Sequence, residues 1–282
     1  MSDERLLWAK ASPSCKSLWH HMIDSGFCAA RLAEDPRFLC GTQLLAAYFD
    51  IKAQQAVDLV AYLAAMHDCY GKAHPAFQKK STEDAAVFIQ SGIISVLDQE
   101  HGYRHERYGA RLFRKRATEL FHMNPLVARV LASAIELHHQ GKTGHASPPK
   151  RGKEQWTAMA DALHQRVIEL FHPQLDQLDH CNHCDACVLV LSSFVILADW
   201  VASSMPFESL SGEDDSCYCM LSRALADHIV KEYGLSSNQP FPPIQAYQTL
   251  WPFLSHARLR PLQSAMMADV WPDADLTILE AP

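Results

Sequence analysis

Along most of this chain apolar residues recur at three- and four-residue steps, the period of helices buried along one side. Val57, Val60, Ala64 and His67 share one such face, and Leu59, Leu63 and Met66 make the adjoining face apolar too. That pattern predicts a central helix covered on more than one side, with Gly71 ending it. In NPLVARVLASAIELHHQGK, Pro125 suits a first helical turn, Gly141 suits an end, and Leu131, Ile135 and His139 form the stripe. The longest apolar run, Cys187 to Ala202, is interrupted by Ser192, Ser193 and Asp199. It is too short and too polar to cross a bilayer, which predicts a buried helix. Alternating strand patterns are scarce before residue 240, so the predicted fold class is all-α, a helical bundle.

Length and composition change this picture only at the C-terminal end. With 282 residues, 48% of them hydrophobic, the chain can build a sizeable core. A shift at about Ser236, in SSNQPFPPIQ, divides it into a helical domain over 1–235 and a different unit over 236–282. The second unit ends in a strand-like run, Leu276 to Leu279. A core-type strand needs partners on both edges, so this piece reads as the start of a further domain. A formal charge of −7 gives no global sign of nucleic-acid binding. A local strip of Arg104, Arg107, Arg111, Arg114, Lys115 and Arg116 is either a solvated helix face or a groove for a single-stranded backbone. Nine cysteines without a disulfide framework, and a charged start in MSDERLLWAK, place the chain in a reducing cytoplasm with no membrane partner.

The candidate chemistry lies in polar residues set on apolar helices. His67-Asp68 closes the central helix, and His21, His105, His138, His139 and Asp199 each fall in another helical segment. Imidazoles and carboxylates hold borderline divalent metals, and a buried aspartate needs a cation or hydrogen-bond partners. A single histidine on an apolar helix is more often a hydrogen-bonded core residue. This many together point instead to one metal site. Two metals can share a bridging carboxylate and a bridging hydroxide, which attacks a phosphorus atom while the metals neutralise the leaving oxygen. Asp68 is the natural bridge and Asp199 the terminal carboxylate, while Lys72 follows closely enough to face a substrate phosphate. Of His20 and His21, the three-residue step to Asp24 selects His21. The run HCNHCDAC, with Cys181, Cys184 and Cys187, has metal-like spacing, but a fourth cysteine is missing and helical packing explains it. GKTG at 141–144 mimics a phosphate loop, yet position 136 is Glu where glycine is required.

The ordered set resembles the HD superfamily of metal-dependent phosphohydrolases. Within it, the chain is most similar to the N-terminal HD nuclease domain of the CRISPR-associated helicase–nuclease of type I systems. LLWAK, with Lys10, resembles that family's opening element, and HHMID its first-helix histidine followed by Asp24. AAMHDCYGKAHPAFQ matches the HD motif with its downstream Phe-Gln, and RHERYGARL supplies His105 with Glu106. ELHHQGK resembles the double-histidine motif and LADWVASS the Asp-Trp-x-x-Ser motif. RLRPLQ and LTILEAP resemble the lead-in to a superfamily 2 helicase core whose phosphate loop would follow. Two spacings depart from the family: HDCYGK carries one extra residue before Gly71, and Gln140 separates the double histidine from Gly141.

The resemblance implies an HD-domain bundle and a metal-dependent DNase acting on single-stranded DNA. That DNA would be exposed by a guide-RNA surveillance complex and fed in by an attached C-terminal helicase domain. One metal would be held by His21, His67 and Asp199 and the other by His105, His138 and His139, with Asp68 between. Mixed nitrogen and oxygen donors suit manganese, iron, cobalt or nickel better than magnesium. The rival readings are an HD phosphohydrolase of small nucleotides and a catalytically silent HD docking module.

Overall fold

Helices dominate a computed structural model of the chain. It describes residues 7–10, 16–80, 103–139, 154–211 and 214–232, which fall within one compact unit, Met1–Ser236. The expected C-terminal unit, with RLRPLQ and LTILEAP, lies outside the described residues, as do GKTG, Gln140 and Gly141.

A two-stranded antiparallel ribbon opens the unit, β1 (Trp8–Lys10) against β2 (Lys16–Ser17). Ser17 then caps α1 (Leu18–Glu34) by accepting from the His20 amide at 3.1 Å. α2 (Leu39–Phe49) ends where Asp50 turns left-handed at φ 53°. α3 (Ala53–Met66) is the apolar helix expected from the pattern, buried from Ala56 to Met66 except at Asp58. It packs chiefly on α1. Two one-turn helices follow, α4 (Cys69–Lys72) and α5 (Pro75–Gln78). α6 is His105–Glu119, and α7 is Pro125–Leu137, opened by Pro125 and capped by Asn124 through the Leu126 amide at 2.8 Å. α8 is Glu154–Phe171, α9 is Cys184–Ala202, α10 is Met205–Glu208 and α11 is Asp215–Glu232.

Three expectations shift in the structure. Gly71 does not end the central helix. That helix stops at Met66, His67 caps it, and Gly71 sits inside α4 instead. The glycine is there for contact: a Cβ at Gly71 would lie 2.2 Å from the His105 carbonyl oxygen, and one at Gly109 would lie 3.0 Å from the Gly71 nitrogen. Two glycines thus let α4 and α6 touch through backbone. Next, α7 ends at Leu137, so His139 leaves the Leu131–Ile135 stripe and is exposed, while His138 turns inward. Finally, α9 is buried along one face only. Leu189 and Trp200 are exposed, and the helix is long and apolar enough to cross a membrane by composition. It packs instead against α1, α2, α3 and α7 and carries the charged Asp199 into the core, which a bilayer would penalise.

Candidate metal centre

Five helical segments around the α3–α4 turn each bring a candidate metal ligand to one place. α1 supplies His21, the end of α3 supplies His67 and Asp68, α6 supplies His105 at its first position, the end of α7 supplies His138 and His139, and α9 supplies Asp199. Asp68 sits at the middle with 1% exposure, and its two oxygens face different partners. Oδ2 lies 3.1 Å from His21 Nε2 and 3.2 Å from His67 Nε2. Oδ1 lies 3.2 Å from His105 Nε2 and 3.7 Å from His138 Nε2. Asp199 Oδ1 closes the first side at 3.2 Å from His21 Nε2 and 3.6 Å from His67 Nε2. On the second side His139 Nε2 is 3.0 Å from His105 Nε2.

The tautomers are set from behind. His67 Nδ1 donates to the Ala64 carbonyl at 2.5 Å, and His138 Nδ1 donates to the Ile135 carbonyl at 2.6 Å. Each bond is an i−3 contact at a helix end, where the last carbonyls lack helical partners. It turns Nε2 of each ring toward Asp68. Ser203 Oγ in turn donates to Asp199 Oδ1 at 3.2 Å.

Electrostatics shows what the cluster lacks. Burial alone would raise the Asp68 carboxyl, but His67, Lys72, His105 and His21 outweigh it and hold the acid well below its usual range. For Asp199 burial is likewise overcome by the His21 and His67 rings beside it. Burial would lower His67, yet the two carboxylates hold it up to about 10. His138 is driven down by burial and then by the His67 charge, and His139 by burial and then His105. A proton on His67 and the Lys72 ammonium, 2.5 Å from Asp68 Oδ2, serve as the cations that two buried carboxylates require. Still, His67 Nε2, Asp68 Oδ1, His138 Nε2 and His21 Nδ1 are buried without a hydrogen-bond partner. Orphaned donors and acceptors are costly in a core, and two of these atoms, Asp68 Oδ1 and His138 Nε2, lie 3.7 Å apart. Two sets have ligand atoms within 4.8 Å of one another, His21/His67/Asp68/Asp199 and His105/His138/His139. The donor chemistry fits divalent metal.

A family profile described as "Cas3, HD domain" matches residues 8–207, more than half of the chain. This chain belongs to the Cas3 HD-domain family. Solved structures agree on the fold. T. fusca Cas3 bound to ATP superposes with a TM-score of 0.66 at 20% identity, covering 93% of this chain and 30% of that one. The Thermus thermophilus Cas3 HD domain in the presence of Ni2+ gives 0.61 at 21% identity, covering 83% and 92%. A CRISPR RNA-guided surveillance complex before nicking gives 0.62 at 20% identity, covering 89% and 31%. The chain therefore spans about a third of the longer relatives. No curated protein sequence matches it.

Within this HD domain the flanking family motifs acquire structural roles. Gln78 of the Phe-Gln element binds the Trp8 amide at 3.1 Å through Oε1, and donates to the Trp8 carbonyl at 2.9 Å and the Lys72 carbonyl at 2.6 Å. It ties the opening strand to α4. The extra residue in HDCYGK is absorbed because α4 is helical, so Lys72 returns one turn later onto Asp68. His20 stacks on Tyr218 at a centroid distance of 3.6 Å, away from the cluster. Asp24 does not reach the cluster: it is paired with Lys16 and accepts from Tyr218 at 2.9 Å and Ser222 at 2.5 Å. Cys181 just before α9, and Cys184 and Cys187 in its first turn, are free thiols and form none of the metal-capable groups among the described residues. Arg104, Arg111 and Arg114 are exposed on α6 and Arg107 is half-buried there. Sequence reasoning missed Ser203, whose place in the Asp-Trp-x-x-Ser motif is the signal that marks it.

Proposed function

We propose that this HD domain is a metal-dependent nuclease that hydrolyses phosphodiesters of single-stranded DNA in type I CRISPR interference. The carrying observation is that the two oxygens of Asp68 face two separate sets of donors. In this reading His21, His67 and Asp199 would hold one divalent metal and His105, His138 and His139 a second, with Asp68 as a ligand shared between the two sets. Manganese, iron, cobalt or nickel suits these donors better than magnesium. When bound, the metals supply a water acidic enough to ionise near neutrality and neutralise charge at the phosphate.

The chain's own residues do the rest. The Ala64 and Ile135 carbonyls keep His67 and His138 in the tautomer that binds through Nε2. His67 would have to give up its proton to hold a metal, so loading would release protons and improve as pH rises. Lys72, no longer needed as the counter-ion of Asp68, turns its ammonium to the substrate phosphate. Arg104, Arg107, Arg111 and Arg114 run along α6 from His105 and track the DNA backbone. A guide-RNA surveillance complex and a C-terminal helicase domain of the full protein are the partners that would deliver the strand in the cytoplasm.

The test incubates circular single-stranded DNA with the purified chain, single metals and a chelator, with nucleoside phosphates as competing substrates. Cleavage should need a transition metal, stop with chelator and vanish in Asp68→Ala. Cleavage that persists in Asp68→Ala overturns the mechanism. Hydrolysis of the nucleotides alone would make the domain a small-molecule phosphohydrolase.

A further inference from the structure

Behind the HD turn lies a further buried histidine with no contact to a member of the cluster among its hydrogen bonds and ring contacts. His164, on α8, has 0% exposure, and both ring nitrogens are engaged. Nε2 lies 2.6 Å from the Tyr62 hydroxyl, and Nδ1 lies 2.9 Å from the Tyr70 hydroxyl. Tyr70 donates its own proton to Asp161 Oδ1 at 3.0 Å, and Arg116 holds Asp161 Oδ2 at 3.1 Å. These donors fix the direction of the whole chain. Because the Tyr70 proton goes to Asp161, its oxygen accepts from Nδ1–H, and the bare Nε2 accepts from Tyr62. Burial pushes the His164 imidazolium down to about 3, so the ring stays neutral and this order holds.

Tyr62 lies in α3 before His67-Asp68, and Tyr70 lies in α4 after it. One rigid ring therefore spans the turn and fixes the angle between the two helices. We propose that His164 is a positioning residue for the Asp68 centre, setting the spacing of its two ligand groups through α4. This rests on the metal-centre reading above. The route runs through contacts already described. α4 bears Gly71 against the His105 backbone, Tyr103 donates to the Gly71 carbonyl at 2.6 Å, and the Cys69 thiol meets the Ala160 carbonyl at 3.5 Å. A tilt of α4 would move His105 relative to His21 and His67, which other helices carry.

The test replaces the three partners together, Tyr62→Phe, Tyr70→Phe and His164→Phe. Replacing Tyr62, Tyr70 and His164 together by apolar rings leaves none of the three with a stranded partner among themselves, and Asp161, which loses the Tyr70 donor, is 21% exposed and keeps Arg116. Such wholesale replacement can be nearly neutral in stability. Manganese(II) binding is read by electron paramagnetic resonance, which reports both free ion and the exchange-coupled signal of two adjacent ions. The variant is expected to melt near the wild-type temperature, to bind manganese about 10–100-fold more weakly, and to lose the coupled signal. Tyr218→Phe, equally buried in the Asp24 cluster, should leave manganese binding unchanged. A triple variant of normal melting that binds manganese like wild type overturns the positioning role. If the triple variant does not fold, Tyr70→Phe decides by the same two readouts: weaker binding at unchanged melting supports the role, and unchanged binding overturns it. Wild type that takes up no manganese or other transition metal would instead remove the metal centre itself.

Discussion

Two buried polar clusters lie one helical turn apart on α1, and they are finished differently. Around Asp24, each carboxylate oxygen has a donor in Tyr218 or Ser222, and Lys16 supplies the charge and also donates to the Phe207 carbonyl at 3.0 Å. Around Asp68, four ring and carboxylate atoms are left without hydrogen bonds. Both clusters bear the desolvation cost of buried charge. Only the first leaves no buried polar atom of its members unbonded among the described residues, so only the first is complete as folding machinery. The second reads as an unfinished socket, and the same atoms are the donors of the proposed metal centre.

That contrast breaks most directly by exchanging the outcomes. Asp68→Asn keeps the side-chain shape but removes the bridging charge. DNA cleavage should fall by roughly 10³-fold or more in a metal-supplemented assay. Full activity with retained metal would show that the orphaned atoms are not ligands. Asp24→Asn should do the reverse. Burial outweighs Lys16 and raises the Asp24 acid, so the ion pair adds little net stability. Removing one partner, however, strands the Lys16 ammonium in the core, a loss of about 3–5 kcal/mol in urea unfolding. Metal content and activity per folded molecule should stay unchanged. An Asp24→Asn protein that stays stable and loses its metal would merge the two clusters into one functional unit.

The His164 relay adds a pH test of what a finished cluster does for stability. Its folded pKa is about 3 against an ordinary 6.5. Between these values the unfolded chain binds the extra proton, so stability must fall as pH drops from 6.5 toward 3. The slope from this group is about 1.4 kcal/mol per pH unit. Metal-free wild type should show that slope in unfolding experiments, and the Tyr62/Tyr70/His164 triple phenylalanine variant should lack it. Equal slopes in both proteins would mean that His164 is already protonated, or exposed, in the native state.

How much of this was legible in the sequence follows from what kind of contact each residue makes. His67, Asp68 and Asp199 break apolar runs, and a break in a period is visible in one dimension. His21, not His20, faces Asp68, but the step to Asp24 is not the reason, since Asp24 faces another cluster on the same helix. His138 and His139 were found as a doublet, but the stripe pointed to His139 as the inward one. A helix period cannot be continued past a terminus that the pattern does not reveal. Gly71 was read as a stop because glycine usually is one. The close approach of His105 that demands it comes from a segment more than thirty residues away. His164 was invisible for the same reason: Tyr62 and Tyr70 look like ordinary core aromatics until a ring from α8 arrives between their hydroxyls.

The smallest expected effect concerns the exposed end of the site, where the contrast between finished and unfinished clusters gives way to solvent. Arg111 and Arg114 project from α6 into water, so their value to the fold is slight. If they track a DNA backbone, each contact releases condensed counterions, and the logarithm of affinity falls with the logarithm of salt by about 0.7 per single-strand phosphate. Arg111→Ala or Arg114→Ala should weaken binding of single-stranded DNA uniformly across sequences and flatten that slope by about 0.7 each. Melting temperature and metal content should not move. Fluorescence anisotropy across a salt series, with Asp68→Ala in the background to prevent cleavage, measures the slope directly. An unchanged slope would assign α6 to a solvated face and leave the DNA path to run from the cluster in another direction, past Lys10 and the C-terminal end of α9.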